Sequence, residues 1–281
     1  MLIFSDIYSI EKHLDKLKKH GNIIGFVPTM GAFHDGHLSL IKKSLLDNNF
    51  TVVSIYVNPT QFDNYEDFLS YPSDINNDII LLKSISEDII LFNPDSDEIY
   101  SGSAYLDQYN FKGLDNHMEG KYRAKHFHGV ATIVNKLFSI VKANKAYFGE
   151  KDFQQLRIIE NLVKEKNFNI EVIRCETKRS PDGLALSSRN KKLDFSSKKI
   201  ATNLFKALNF AKEKFYILDL EEIKEKVIEY LSAFSEIELE YFMIADDENL
   251  APAKREKNKK YRAFIAAHIS GVRLIDNIKL N

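Results

Sequence analysis

Cysteine is nearly absent: the one thiol among 281 residues, Cys175, excludes any disulfide within the chain. A lone cysteine fits a reducing compartment and most often serves as a small buried apolar residue. Long hydrophobic runs are missing too, none approaching the roughly 18 residues that a membrane span needs. The first ten residues, MLIFSDIYSI, lack the charged and long apolar parts of a secretion signal. A cytoplasmic protein with no membrane partner is therefore expected. Nor is there an excess of one charge: 39 Lys and Arg against 40 Asp and Glu leave a net charge of −1. That balance argues against nucleic acid as a general partner, because phosphate-backbone binding calls for a basic surplus. No internal repeat or low-complexity tract is present. What remains, 44% hydrophobic and 28% charged, is the composition of a globular protein long enough for two domains.

The stretch that organises the rest is Ile23 to His37, IIGFVPTMGAFHDGH. Ile23 to Val27 is an apolar run suited to a buried strand, and Pro28, lacking an N–H, is expected to stop the ladder. Gly31 and Gly36 allow a tight turn or a close approach to a ligand. Leu38, Leu40, Ile41 and Leu45 then begin a helical pattern. The loop thus feeds a helix N-terminus, where free N–H groups and the dipole favour an anion such as phosphate. His34 and His37, three apart, project to one side of such a helix and can donate to the same oxygens. The alternative is an ordinary surface pair. With no cysteine or carboxylate cluster at ligand spacing nearby, a zinc site is disfavoured.

Residues 7 to 20 read as a helix with Ile10, Leu14 and Leu17 on one side, ended by Gly21-Asn22. Thr51 to Val57 is a second buried strand, at whose end Asn58 and Gln61 would lie beside the histidine loop if the sheet is parallel; a capped turn is the plainer reading of Asn58-Pro59. A helix begins near Tyr71-Pro72-Ser73-Asp74, with Ile75, Ile79 and Leu82 as its stripe, and Asp88 to Phe92 forms a third strand. Residues 95 to 122 read as loop. Val130, Ile133, Val134, Leu137, Phe138 and Val141 mark a strongly periodic helix, with His126 just before it either binding an anion or capping. Ala146 to Phe148 is a strand turning through Gly149-Glu150-Lys151-Asp152 into a helix from Gln154 to Lys166, and Ile170 to Arg174 is a further strand. Lys151 would sit at a strand end beside a helix start, suited to phosphate, although a charged turn is more often simply solvated. The Ser187-Ser188-Arg189 loop offers hydroxyls and a guanidinium that could close over a polyphosphate, or it is an interdomain linker. Strands alternating with helices give right-handed βαβ units and a doubly wound sheet. From about 178 onward come two lysine-rich helices and strands at 236–244, 261–269 and 272–278, a smaller α+β unit with an antiparallel sheet.

His34-Asp35-Gly36-His37 resembles the HxGH signature of nucleotidyltransferases and class I aminoacyl-tRNA synthetases. Together PTMGAFHDGH, VNPTQF, HFHGVATIVNKLF, YFGEKDFQQ and DGLALSSRN, in this order, resemble the pantoate:β-alanine ligase family over residues 23 to 190. The resemblance implies an α/β Rossmann-like domain of nucleotidyltransferase type over 1–177, binding ATP and pantoate, and a smaller α+β lid domain over 178–281. It implies condensation of (R)-pantoate with β-alanine through a pantoyl-adenylate, with ATP and Mg2+, in a homodimer. By the same resemblance Met30, Gly31, Ala32, Phe33, His34, Asp35, Gly36 and His37 line the ATP site, with His37 as proton donor and His34 and Lys151 as further catalytic groups. Gly149, Glu150, Lys151, Asp152, Lys178, Leu186, Ser187, Ser188 and Arg189 also meet ATP, while Gln61 and Gln155 bind the acid substrates, joined by Asn58 as a neutral hydrogen-bonding residue at the strand end. The metal ligands are not assigned. Where the family reads RPGHFRGV and PTVRExDGLA, this chain has His128, Lys178 and Ser180, so side-chain roles at those three positions do not carry over. Another HxGH nucleotidyltransferase, or a nucleotide-binding module without catalysis, is the rival reading.

Overall fold

The structure, a computed structural model, describes all residues from Met1 to Asn281. In chain order the elements are β1 (Leu2–Phe4), α1 (Ile7–Lys19), β2 (Ile24–Thr29), α2 (Asp35–Asp47), β3 (Phe50–Ile55), α3 (Tyr65–Leu69), α4 (Ile75–Ile85), β4 (Ile90–Phe92), α5 (Ser96–Tyr100), α6 (Met118–Tyr122), α7 (His126–Val141), β5 (Lys145–Gly149), α8 (Phe153–Glu165), β6 (Glu171–Cys175), α9 (Phe195–Lys214), α10 (Leu220–Ser232), β7 (Ile237–Asp246), β8 (Tyr261–Ile269) and β9 (Val272–Lys279). Contacts divide the chain into two units. One holds Met1–Phe111, Arg123–Glu150 and Gln155–Glu176; the other holds Lys112–Tyr122, Lys151–Gln154 and Thr177–Asn281.

The first unit is built on a parallel sheet of order β1-β4-β3-β2-β5-β6. From β2 the chain works outward through β3 and β4, then crosses back to lay β5 and β6 on the other side. The reversal therefore falls between β2 and β5, where open α/β sheets bind ligands beyond the strands' carboxyl ends. These two strands pair only at Gly25–Lys145 and Phe26–Ala146 before parting. Alternation along β2 sends Val27 into a core with Leu40, Ile41 and Leu82, while Phe26 meets Phe138 of α7 edge-on at 6.2 Å. Cys175 lies in the first of these cores, its thiol pushed up to about 11 by burial. That makes it an inert apolar residue.

Several expectations are corrected. Pro28 does not end β2, which continues to Thr29 and pairs with Ser54 of β3. Even-numbered residues of β2 bond toward β5, as the Ile24–Asn144 exchange shows, so the missing N–H of Pro28 faces a side where pairing has already ceased. The edge strand β1, three residues long with Leu2 and Ile3 half exposed, carries no period that a sequence could show. The region 95–122 contains two single-turn helices, too short for periodicity to reveal. His126 is the first residue of α7 rather than a residue preceding it.

The second unit packs α9 and α10 against the antiparallel sheet β7-β8-β9, burying Leu204, Leu208, Ile223 and Val227 against Ile265 and Leu274. Its most charged interior contact ties in α6. Arg273 of β9 donates to both oxygens of Glu119 at 2.7 Å and also meets Glu240, and the Tyr241 hydroxyl donates to Glu119 at 2.9 Å. The side chain of Glu119 is only 8% exposed. Removing its cation leaves a buried charge uncompensated, so Arg273→Ala is expected to lower unfolding free energy by about 3 kcal/mol or more, read from urea titration of the full chain.

Candidate active site

The histidine loop closes the carboxyl end of β2. Gly31 (φ +77°) and Ala32 (φ +52°) both take left-handed backbone, turning the chain sharply into α2. His34 is the N-cap of that helix, its Nδ1 accepting the Gly36 N–H at 3.1 Å. A ring nitrogen that accepts carries no proton, so with this cap bond in place His34 is the neutral tautomer with its donor at Nε2. His37, one turn on, lies with its ring centroid 4.1 Å from that of His34, and Phe33 packs edge-on against it at 5.6 Å. The two imidazoles thus share one side of the helix start. Gly36 lies in the first turn of α2 and not at a positive φ, so the sharp turn is made by Gly31 and Ala32 instead. Asp35 is exposed, and Met30 reaches Gln61, whose Nε2 donates to the methionine sulfur at 3.0 Å.

Gln61 sits in the short 3-10 turn Pro59–Gln61 after β3, 8% exposed, and the protein holds it from several sides. His126 Nδ1 lies 2.8 Å from its carbonyl oxygen, which accepts only if Nδ1 carries the proton. Arg123 donates to the same oxygen at 3.3 Å and pairs with Asp63 at 3.0 Å. The binding-or-capping alternative for His126 thus resolves, in this structure, as support for the Gln61 turn. Asn58 is fully buried. Its amide donates to the Gly129 carbonyl at 3.0 Å and accepts from the Tyr100 hydroxyl at 2.6 Å, and burial pushes the Tyr100 phenol up to about 12, which keeps it a donor. Asn58, expected to line the acid pocket, is taken up by these protein partners because α7 presses directly on the turn. A Cβ on Gly129 would come within 2.4 Å of the Thr60 carbonyl oxygen. Gly149 and Glu150, half-buried, end β5 across the reversal point, and Gln155 is half-buried near the start of α8.

The other expected residues belong to the second unit. Lys151 pairs with Asp152 at 3.0 Å, and its carbonyl accepts from Asn277 at 2.8 Å. Gln154, 4% exposed, accepts from the Glu119 N–H and donates to the carbonyls of Leu114 and His117. The segment 178–186 folds back on itself, Leu186 N–H donating to the Lys178 carbonyl at 2.9 Å, with the Lys178 side chain exposed. Ser180 Oγ accepts from Leu184. Arg179 anchors the turn by donating to both oxygens of Asp276, whose carboxyl burial pushes up and Arg179 pulls down, the first effect prevailing. Ser187 caps the following 3-10 turn through Arg189 N–H, and Ser188 is buried. His128 stacks with Phe111 and Tyr109 and accepts the Tyr109 N–H, a packing role in place of the family's arginine.

A doubly wound sheet with paired imidazoles at the helix start beside its reversal point defines an α/β protein of the nucleotide-binding type. The family model described as "Pantoate-beta-alanine ligase" matches residues 2–279. The pantothenate synthetase of Christiangramia forsetii is 44% identical over the full length of both chains. The crystal structure of the Thermus thermophilus pantothenate synthetase superposes with a TM-score of 0.91 at 37% identity, covering 100% of this chain and 99% of that one. The Francisella tularensis pantoate-beta-alanine ligase, described as complexed with beta-gamma ATP and beta-alanine, is 39% identical with a TM-score of 0.82, covering 100% and 98%. This chain belongs to the pantoate-beta-alanine ligase family.

Two residues that hold the Gln61 turn escaped the sequence, Tyr100 and Arg123, because their partners Asn58 and Gln61 lie about 40 and 60 residues away. Gly129→Ala should force α7 off the Gln61 turn and cost about 2 kcal/mol, seen as a lower urea midpoint with unchanged slope.

Proposed function

We propose that the chain joins pantoate to β-alanine at the expense of ATP, through a pantoyl-adenylate, releasing pyrophosphate and AMP. The observation that carries this is the full-length match to the ligase family, including a relative solved with an ATP analogue and β-alanine. A carboxylate resists amine attack because oxide is a poor leaving group. The pantoate carboxylate, already anionic, first attacks the α-phosphorus; the bond to the β-phosphate oxygen breaks and pyrophosphate departs. No base is needed. The protein's task is to align two anions and stabilise the charge growing on the leaving group. The β-alanine amine then attacks the acyl carbon, the acyl–oxygen bond breaks, AMP leaves with its electron pair, and the amine gives up a proton.

The roles follow from donor chemistry. His34, through Nε2–H, and His37 are assigned to the phosphates, together with Lys151, Ser187, Ser188 and Arg189. Gly149, Glu150, Asp152, Lys178 and Leu186 are assigned to ATP, Lys178 through its backbone since the side chain is exposed. Gln61 and Gln155, neutral hydrogen-bonding groups, orient the acid without neutralising its nucleophile, and Asn58 acts by fixing the Gln61 turn. No group of three His, Cys, Asp or Glu side chains could cage a metal. Magnesium in such enzymes is held chiefly by substrate phosphates and water and needs no full protein cage. Bound on ATP, it would neutralise phosphate charge during the first step. A homodimer working in the cytoplasm completes the proposal, the assembly being read by sedimentation.

Incubation with ATP, pantoate and β-alanine, each omitted in turn, should yield AMP only when all three are present at catalytic turnover. Pyrophosphate release that proceeds equally without pantoate would point to a different HxGH transferase. His37→Ala and Lys151→Ala should each slow adenylate formation about 100-fold, and single-turnover pyrophosphate release within about threefold of the unaltered protein would remove these residues from that role.

A further inference from the structure

We infer that Asp78 is a positioning residue for the first chemical step, an internal carboxylate that occupies the backbone anion site of the histidine loop and so aims His34 and His37. The inference rests on the ATP–pantoate reading and extends it to a group acting on the loop itself. Asp78 belongs to the first turn of α4 and is 1% exposed. Its Oδ2 accepts the Ala32 N–H at 2.7 Å and its Oδ1 the Phe33 N–H at 2.8 Å. Successive left-handed residues, Gly31 and Ala32, turn these two donors to one side, the concave arrangement that elsewhere receives phosphate. Here the arrangement is filled from within. The phosphate-binding work then passes from the loop's backbone to its imidazoles.

The consequence reaches the chemistry through packing. Leu82 of α4 is itself fully buried in the core that also holds Phe33, and this anchors the helix and its carboxylate against the sheet. Its bond to the Phe33 N–H fixes that residue, whose ring packs on His37, and His37 lies against His34. A left-handed alanine is unfavourable by itself and persists because both neighbouring N–H groups are held by charge-assisted bonds. Glycine is required at 31 for a second reason. A Cβ there would sit 2.7 Å from Asp78 Oδ2. Asparagine cannot replace Asp78, because it offers one acceptor and sets an NH2 group against the other N–H donor.

Asp78→Asn in the full chain tests this. With pantoate and ATP, pyrophosphate formation should fall about 30-fold, the scale of a lost hydrogen bond to a charged group. Aminolysis of supplied pantoyl-adenylate by β-alanine should fall no more than about threefold, because no triphosphate is aligned in that step. Deuterium uptake at residues 30–34 should rise. Gly31→Ala, which strikes the same contact from the loop side, should give the same pattern and carries the test if the first variant does not fold. The double variant should lose less than the product of the two single losses, since both disturb the one contact between Asp78 and the loop. Equal loss in both steps, additive losses, unchanged deuterium uptake, or a first step within about threefold of the unaltered chain would overturn the inference. Failure of the unaltered chain to release pyrophosphate with pantoate would instead sink the ATP–pantoate reading, while the deuterium uptake would still judge the contact between Asp78 and the loop.

Discussion

Everything in the first unit follows from the parting of two strands. β2 and β5 pair over only two residues and then separate, each continuing three residues further without a partner on the facing side. A parallel sheet that reverses its winding there must leave an opening, because successive crossovers depart to opposite faces. The histidine loop rises on one lip and Gly149-Glu150 on the other. Pro28 becomes intelligible as part of that opening: a residue without an N–H costs nothing where no acceptor waits.

The loop on the first lip is rigid for reasons that lie in its charge pattern. An anion from α4 satisfies two of its N–H groups, and an imidazole from within satisfies a third at the helix start. The Gln61 turn nearby is handled in a similar way, with a carbonyl held by His126 and Arg123 and an asparagine amide bridging α7 and Tyr100. Polar groups buried beside a site rarely lack such partners, since leaving one unmet is costly. The site residues are thus held by neighbours that themselves need not meet a ligand.

How far the sequence disclosed this depends on the range of the interaction. Helix α7 announces itself through a period of 3.6 and strand β3 through an unbroken β-branched run, and the HxGH tetrapeptide announces the side-by-side imidazoles because both lie within one helical turn. The turn helices α3, α5 and α6 are shorter than any period and went unread. The bonds of Asn58 to Tyr100 and Gly129 could not be seen locally, because both partners are far along the chain. Asp78 was legible only as an acidic residue in the first turn of a helix; its attachment to residues 32 and 33 is a tertiary fact. The tautomer of His34 is fixed by a cap that exists only once α2 has formed.

The contact between Glu119 and Arg273 has a consequence for biosynthesis. Residues 112–122 emerge from the ribosome early, yet the cation that neutralises Glu119 stands 154 residues further along the chain. While the chain is still being extended, the six-stranded sheet has all of its strands, but Glu119 has neither the Tyr241 hydroxyl nor its counter-ion. That carboxylate waits until Arg273 has been made and has left the ribosome. A nascent chain in this state leaves Glu119 without its counter-ion for the whole time that the residues from the end of β6 to Arg273 are made, the interval in which chaperones act on incomplete folds.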